Sequence, residues 1–413
     1  MRRKPLNTAA RSKLSKYARQ LSQLAILLAE AGSRVERAYW KNRLFAAIAP
    51  HLQGTSETTL NQALDYLYET HLRAYDEMAF ALETAVESPD LSPEKDVLLI
   101  AAPVLAWSTY SIPSGRIDPA RMEDLYALFN SHLLAAGCDI VLMDLLFSPD
   151  QLPPSYNAAA DLSRSLAQAV LQEQRITVDY STLPVTQPFL SDVRYLIGCI
   201  SAPKGAAMFR WQEESPGTGI PALSREDVQS EWKKHAGQQL QRILTGCNIE
   251  TVLPNGLYSA CRLAEKEARA YSVRASVAFL QTAIDAKPTD LHASVGAFVD
   301  RGEIEEYRIG LTVEGSDEVV HGVVWTLLGE EFGNEPDPMF EKDINSEPEN
   351  PLVRTRIKEL LAEVGINNVH MLEERFPLEY CDDCGAPLYP NPEGELMHAE
   401  LPEDADVSTS QLH

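Results

Sequence analysis

The sequence predicts an α/β protein, α+β overall. It has a helical N-terminal domain, a central mixed-sheet α/β domain with a possible internal duplication, and a C-terminal zinc-knuckle hairpin. Three observations predict this. Apolar residues recur at helical spacing before residue 92. From residue 95, short apolar runs alternate with amphipathic stretches, the strand–helix–strand–helix order of an α/β layer. Near the end, two cysteines three apart precede a glycine and a later histidine. At 413 residues the chain exceeds what one ordinary core organises, so several domains are expected.

The helical domain is 1–92. In SKLSKYARQLSQLAILLAEAG, Leu14, Tyr17, Leu21, Leu24, Leu27 and Leu28 form a stripe of helical period. Gly32 suits a C-terminal cap. Ser33 with Glu36 makes a capping box for the next helix, which ends near Pro50. A third helix runs through Leu60, Leu64, Leu67, Tyr75, Met78 and Leu82, until the prolines of ESPDLSPEKD break the pattern.

The α/β domain is 93–332. DVLLIAAPVLAW is a buried strand, PARMEDLYALFNSHLLAAG a helix, CDIVLMDLLF a strand and SYNAAADLSRSLAQAVLQEQ a helix. The order recurs in VRYLIGCISAP, SREDVQSEWKKHAGQQLQRIL (capped by Ser224 and Asp227), CNIETVLP and GLYSACRLAEKEARAYSVRASVAFLQTAI. AGCDI (136–140) and TGCNI (245–249) mark the same joint in each half. This points to a duplication of 95–172 and 193–287; the alternative is chance, since Gly is the default helix cap. Antiparallel strands follow over 290–329, the last two joined by a Gly-Ser-Asp turn. Residues 333–350 form an acidic, proline-rich linker. A small module, 351–402, carries a helix, a strand and the cysteine pair, and 403–413 is a tail.

Two thiolates separated by two residues can grip one metal from a single turn. In Cys381-Asp382-Asp383-Cys384-Gly385 the glycine lets the backbone curl so that amides face the sulfurs. Pro387 and Leu388 begin a strand, PNPEG turns, and ELMHAE returns, bringing His398 towards the cysteines. Cys381, Cys384 and His398 are therefore the expected ligands of a structural Zn2+. His413, His370, a carboxylate such as Glu400, or water is left for the fourth place. A catalytic zinc would need a base, and Glu400 and Glu379 are the local candidates. A metal-free knuckle is the alternative. A thioredoxin-like redox pair is disfavoured, because Asp382 and Asp383 are expected to raise the thiol pKa.

The net charge of −24 argues against general nucleic-acid affinity. It is unevenly spread: residues 1–50 carry eleven Lys/Arg against two Glu, and residues 301–413 seven against twenty-seven Asp/Glu. The basic first helix, with Arg11, Lys13, Lys16 and Arg19, is the one place where nucleic acid or a membrane surface would be met, and a solvated face is the plainer reading. No apolar run approaches the roughly 18 residues of a membrane span. LAILLA (24–29) lacks a cleavage site, so no secretory signal is expected. Six cysteines in so long a chain are no disulfide framework; Cys138, Cys199, Cys247 and Cys261 read as core thiols and the cytoplasm as the compartment.

Phosphate-loop, dinucleotide, HExxH and GxSxG motifs are absent. Ser230 and Lys233 form an isolated SxxK of the kind chance supplies, and no two histidines pair at ligand spacing. STYSIPSGRI (108–117) and MFRWQEE (208–214) each follow the first strand of a repeat, where α/β layers bind ligands. Arg116 and Arg210 are thus candidate anion contacts, against a plainer reading in which Arg210 stacks on Trp211 and Glu213 and Glu214 offset its charge.

SRVERAYW, VLLIAAPVLAW…IPSG, FRWQEE, EEYRIGL, VVWTLLG and FPLEYCDDCGAPLYPNPEGELMHAELPED together resemble a family of uncharacterised proteobacterial proteins, a domain of unknown function. The resemblance runs over most of the chain and implies a bacterial cytoplasmic setting, with no activity or site attached. The Cys-x-x-Cys-Gly-x-x-Leu segment resembles half of a zinc ribbon without its second cysteine pair. The expected function is a binding or adaptor protein with an unknown protein partner. The alternative is an enzyme acting on a small anionic ligand in the loops after the central strands.

Overall fold

The computed structural model describes residues 14–54, 57–109, 112–186, 189–215, 217–300, 302–329 and 351–402. The linker 333–350 and the tail, with His413, lie outside the described residues, as do Arg11 and Lys13.

Four helices open the chain: α1 Lys16–Glu30, α2 Arg34–Ile48, α3 Thr58–Thr70 and α4 Leu72–Glu87. Ser33 caps α2 as expected, its Oγ accepting from the Glu36 amide at 3.2 Å, but the Glu36 carboxylate reaches the Gly32 amide. The C-cap of α1 is Ala31 in extended conformation, so Gly32 supplies no left-handed turn. The single helix expected through Leu60–Leu82 is two. It breaks at His71, whose φ of −152° is not helical. A continuous helix would run about 33 Å between those leucines, well past the roughly 22 Å of α1. Broken, it lays the apolar faces of both α3 and α4 against α1.

The first sheet contains β1 Lys95–Trp107, β2 Gly115–Arg116, β3 Asp139–Phe147, β4 Ser191–Pro203, β5 Asn248–Thr251 and β6 Asn255–Gly256. The order is β2-β3-β4-β1-β5, with β6 also on β1, and every ladder is antiparallel. The connecting helices are α5 Pro119–His132, α6 Tyr156–Leu171, α7 Arg225–Leu240 and α8 Leu257–Ala283. β1 and β3 run parallel through α5 but are not neighbours, because β4 lies between them. In the same way β1 lies between β4 and β5. This is the split βαβ arrangement of ferredoxin-like folds. The strand–helix–strand order read from the sequence is present, and each half fills the gap in the other. The two joints with Gly137 and Gly246 match, both at positive φ (82° and 79°) where Gly is the residue that fits.

β1 and β4 pair from Lys95↔Pro203 to Trp107↔Ser191 and are buried on both faces, hence their unbroken apolar runs. On one face Val97, Leu99, Ala101 and Leu105 share a core with α1–α4, α6 and the start of α8. On the other, Ile100, Ala102, Val104 and Ala106 meet α5 and α7.

A second sheet, β10-β7-β8-β9, comprises β7 Leu291–Asp300, β8 Glu303–Val313, β9 Val319–Thr326 and β10 Asn368–Pro377. Mixed pairing is found here, since β10 joins β7 in parallel while the other ladders are antiparallel. The expected 351–402 module therefore does not stand apart: its strand completes this sheet, and its helix α9 (Pro351–Glu363) shares a core with α8 and the sheet's inner face. Across the outer face lies a hairpin of β11 Tyr389–Pro390 and β12 Leu396–Met397.

Candidate metal centre

The outer face of the second sheet is cut to receive the hairpin. Gly310 and Gly322 are register partners on β8 and β9. A Cβ on Gly310 would come within 2.1 Å of the Pro390 carbonyl oxygen, and one on Gly322 within 2.3 Å of the Tyr389 ring. Only glycine admits the hairpin backbone this close. The turn is held by the buried Asn391, whose Oδ1 accepts from the amides of Glu393 (3.0 Å) and Glu395 (2.9 Å).

Arg308, wholly buried on β8, is the second anchor. Its Nη1 donates to the carbonyls of Glu379 (2.6 Å) and Leu388 (2.8 Å), on either side of the cysteine loop. Its Nε donates to Glu306 at 2.7 Å, and its guanidinium lies over the rings of Phe298 and Tyr380. Sequence reasoning missed this residue; the signal was a lone Glu-x-Arg inside an apolar strand.

Within that frame the loop closes as the spacing requires. The Cys381 amide donates to Ala386 O at 2.7 Å, the Gly385 amide donates to Cys381 O at 2.8 Å, and Gly385 sits at φ +73°. Cys384 Sγ lies 3.2 Å from His398 Nε2. The ligand atoms of Cys381, Cys384 and His398 all fall within 4.8 Å of one another. Two ligands of one tetrahedral zinc, sulfur and imidazole nitrogen, stand roughly 3.5 Å apart given ordinary Zn–S and Zn–N lengths. The three residues could hold a metal ion, and thiolates with an imidazole are a donor set that Zn2+ accepts.

Glu400 Oε1 lies 3.2 Å from His398 Nδ1, the ring nitrogen remote from the sulfur. It is placed to fix the tautomer of a metal-binding imidazole, as carboxylates behind ligating histidines do, rather than to be the fourth ligand. His370 Nδ1 faces Pro392 O at 3.2 Å and is not part of the cluster. Glu379 contributes its carbonyl to Arg308. The expected rise in thiol pKa is corrected for Cys381: the amides of Cys384 and Asp383 point at its sulfur and lower its pKa, outweighing the Asp383 charge.

The other candidates fall elsewhere. Arg116 donates to Asp144 at 3.0 Å, and with Arg121 and Arg242 it lines an open cavity of about 540 Å3 beside the N-terminus of α5. Arg210 donates to Ser131 O at 2.9 Å, at the far end of α5, about 21 Å of helix away. Because β1 and β4 are antiparallel, the loops after them leave opposite ends of the sheet, and the two arginines do not share a site. Trp211 stacks on Phe209 and lies under Arg225, not Arg210. Lys233 pairs with Glu250 at 3.3 Å, as an incidental SxxK permits. Cys199 and Cys247 are buried, whereas Cys138 and Cys261 are only partly so.

Fold and site together define an α/β protein with a ferredoxin-like sheet, a second mixed sheet and a thiol–imidazole cluster docked on the latter. The chain belongs to the family described as "Protein of unknown function (DUF2863)", whose model matches residues 6–412. No curated protein and no solved structure matches it. Among the described residues, no helix is long and apolar enough to cross a membrane.

Proposed function

We propose that this is a binding protein whose C-terminal hairpin is stapled by a structural zinc. The convergence of Cys381, Cys384 and His398 on a frame held by Arg308 supports this reading most directly. Metal supplies what so short a hairpin lacks in apolar area. The binding face that fits best is the start of α2. From Arg34 to Arg43 every residue but Trp40 is exposed, and Val35 (72% exposed) and Tyr39 (51%) stand among Arg34, Lys41 and Arg43, while Arg37 pairs with Glu77 and Glu36 turns to the Gly32 amide. Such a face suits an acidic protein segment.

Metal content per chain, measured on protein purified without a histidine tag, tests the staple. Near one zinc in the wild type and none in Cys381→Ser/Cys384→Ser is expected; no zinc in either removes it. A photo-crosslinking residue at Tyr39 tests the face. It should capture one partner in cells, and that capture should vanish when Arg34 and Lys41 become Glu. A capture indifferent to charge would remove the acidic-partner reading.

The cavity at Arg116 favours a second reading, a small anionic ligand. Arg116, Arg121 and Arg242 line it, the first paired with Asp144 and the second with Asp124, and the Asp118 in its lining caps α5 through the Ala120 amide at 2.8 Å. With no Ser, Cys or His in the lining, it supports capture of an anion more than chemistry upon it. Calorimetric titration with inorganic phosphate, repeated on Arg116→Ala/Arg242→Ala, separates a site from an unoccupied basic rim.

A further inference from the structure

α5 and α7 lie side by side on the outer face of the first sheet, locked by an aromatic contact. Phe129 meets Trp232 edge-on with centroids 5.0 Å apart, and the Trp232 indole N–H donates to Val252 O at 3.1 Å. Nearly one turn beyond Phe129 is His132, the last residue of α5. Beside Trp232 on α7 are Glu231 and His235, four residues apart and so on one helical face. The lock thus sets three ligand-type side chains together, although nothing in their sequence spacing relates His132 to the other two.

The rings of His132 and His235 stack, 4.0 Å between centroids and 12° between planes. Glu231 Oε2 lies 3.4 Å from His235 Nε2 and 3.9 Å from His132 Nδ1. Ligand atoms of all three fall within 4.8 Å of one another, as in the cysteine cluster. His132 Nδ1 is buried and makes no hydrogen bond, a costly state for a polar nitrogen and one that a metal ion would relieve.

We propose that His132, Glu231 and His235 form a second metal site, a two-histidine, one-carboxylate centre for a divalent transition metal. Neutral imidazole with one carboxylate suits Zn2+, Co2+ or Ni2+ better than the all-oxygen preferences of Mg2+ and Ca2+. Three protein ligands leave a coordination position for water or an anion, and Arg210 and Lys234 supply positive charge nearby. A metal lies in the plane of the imidazole that binds it, so one of the two stacked rings must turn on binding. His235, the more exposed of the pair, has the room to do so.

Co2+ titration of the metal-stripped full-length chain tests this. Thiolate ligation gives an intense sulfur-to-cobalt band in the near ultraviolet, whereas an imidazole–carboxylate site gives only weak visible bands. In Cys381→Ser/Cys384→Ser the sulfur band should vanish while a single equivalent still binds with the weak bands. Adding His235→Ala should weaken that binding by more than the ~10–100-fold that losing an outer-shell partner costs, with unchanged circular dichroism. His132→Gln should do the same from the other helix. If the double cysteine variant misfolds, wild-type chain with its knuckle already filled by Zn2+ takes its place, and the second equivalent is read. Absence of saturable binding beyond the knuckle, or binding that His235→Ala leaves unaltered, overturns the second site. A failure of the knuckle itself appears separately, as loss of the sulfur band.

Discussion

Two buried arginines do similar work on the two sheets, each beside an acid two positions earlier in its strand. Arg194 on β4 pairs with Asp192 and donates to Ile112 O and Pro113 O, pinning the loop after β1. Arg308 pairs with Glu306 and pins both sides of the cysteine loop. Truncating one partner of such a pair leaves the other charge buried and the carbonyls unpaired. Arg308→Met is therefore expected to cost about 3–5 kcal/mol in urea unfolding and to weaken metal binding by the cysteines as well. Lowered stability with intact metal affinity would show that Arg308 holds the sheet alone. The sequence displayed the cysteines and His398 because a cysteine knuckle and the hairpin behind it are built from near neighbours. It concealed Arg308, whose partners at 379 and 388 are joined to it only through space.

Between elements, Glu87 at the end of α4 joins the helical bundle to α8, its carboxylate accepting from the Tyr258 amide at 2.7 Å. Burial outweighs that hydrogen bond and pushes its pKa from 4.5 up to about 7. Below pH 4.5 the group is protonated folded or unfolded. Above pH 7 it is ionised in both states, and the folded state bears the cost of burying the charge. Its contribution therefore makes stability fall as pH rises from 4.5 to 7. Glu87→Gln keeps an acceptor for Tyr258, so it should flatten that slope and stabilise the protein above neutrality by about 1–3 kcal/mol. Urea midpoints across this pH range check it; an unchanged slope would mean that Glu87 keeps its ordinary value.

The hairpin and its sheet invite a different test. Gly322→Ala places a methyl group against the Tyr389 ring, and Gly310→Ala one against the Pro390 backbone. Rings can shift and backbone cannot, so Gly310→Ala should be the more damaging by roughly 1–3 kcal/mol. Amide exchange should quicken over 379–400 while the first sheet stays protected. Equal damage in both variants would mean that the hairpin's backbone is free to move.

At the scale of the molecule, the N-terminal helices and the first sheet share one continuous core, from Ala18 and Leu21 through Met78 to Leu99 and Ile197. A chain truncated to begin at residue 93 would bare that face of β1 and β4. It is expected to aggregate or bind hydrophobic dye, and a soluble, cooperatively folding truncation would refute the shared core. Chelation should act at the other end. Removing a metal that binds only the folded state lowers the melting temperature, and the loss should be smaller in Cys381→Ser/Cys384→Ser, where the cysteine site no longer contributes.

What the sequence determined by itself were features of short range. Periods of 3.6 and 2, caps such as Ser33 and Ser224, the two Gly-Cys joints and the cysteine knuckle all place their partners within a few residues, where backbone geometry alone decides who meets whom. What only the tertiary structure decided was long-range pairing. β4 enters between β1 and β3, and that one antiparallel insertion sends Arg116 and Arg210 to opposite ends of the sheet. The packing of α5 on α7 brings His132 to His235, and the seating of the hairpin on Gly310 and Gly322 brings Arg308 to the cysteine loop. These depend on which apolar faces bury each other best over the whole chain, a balance that no local spacing records.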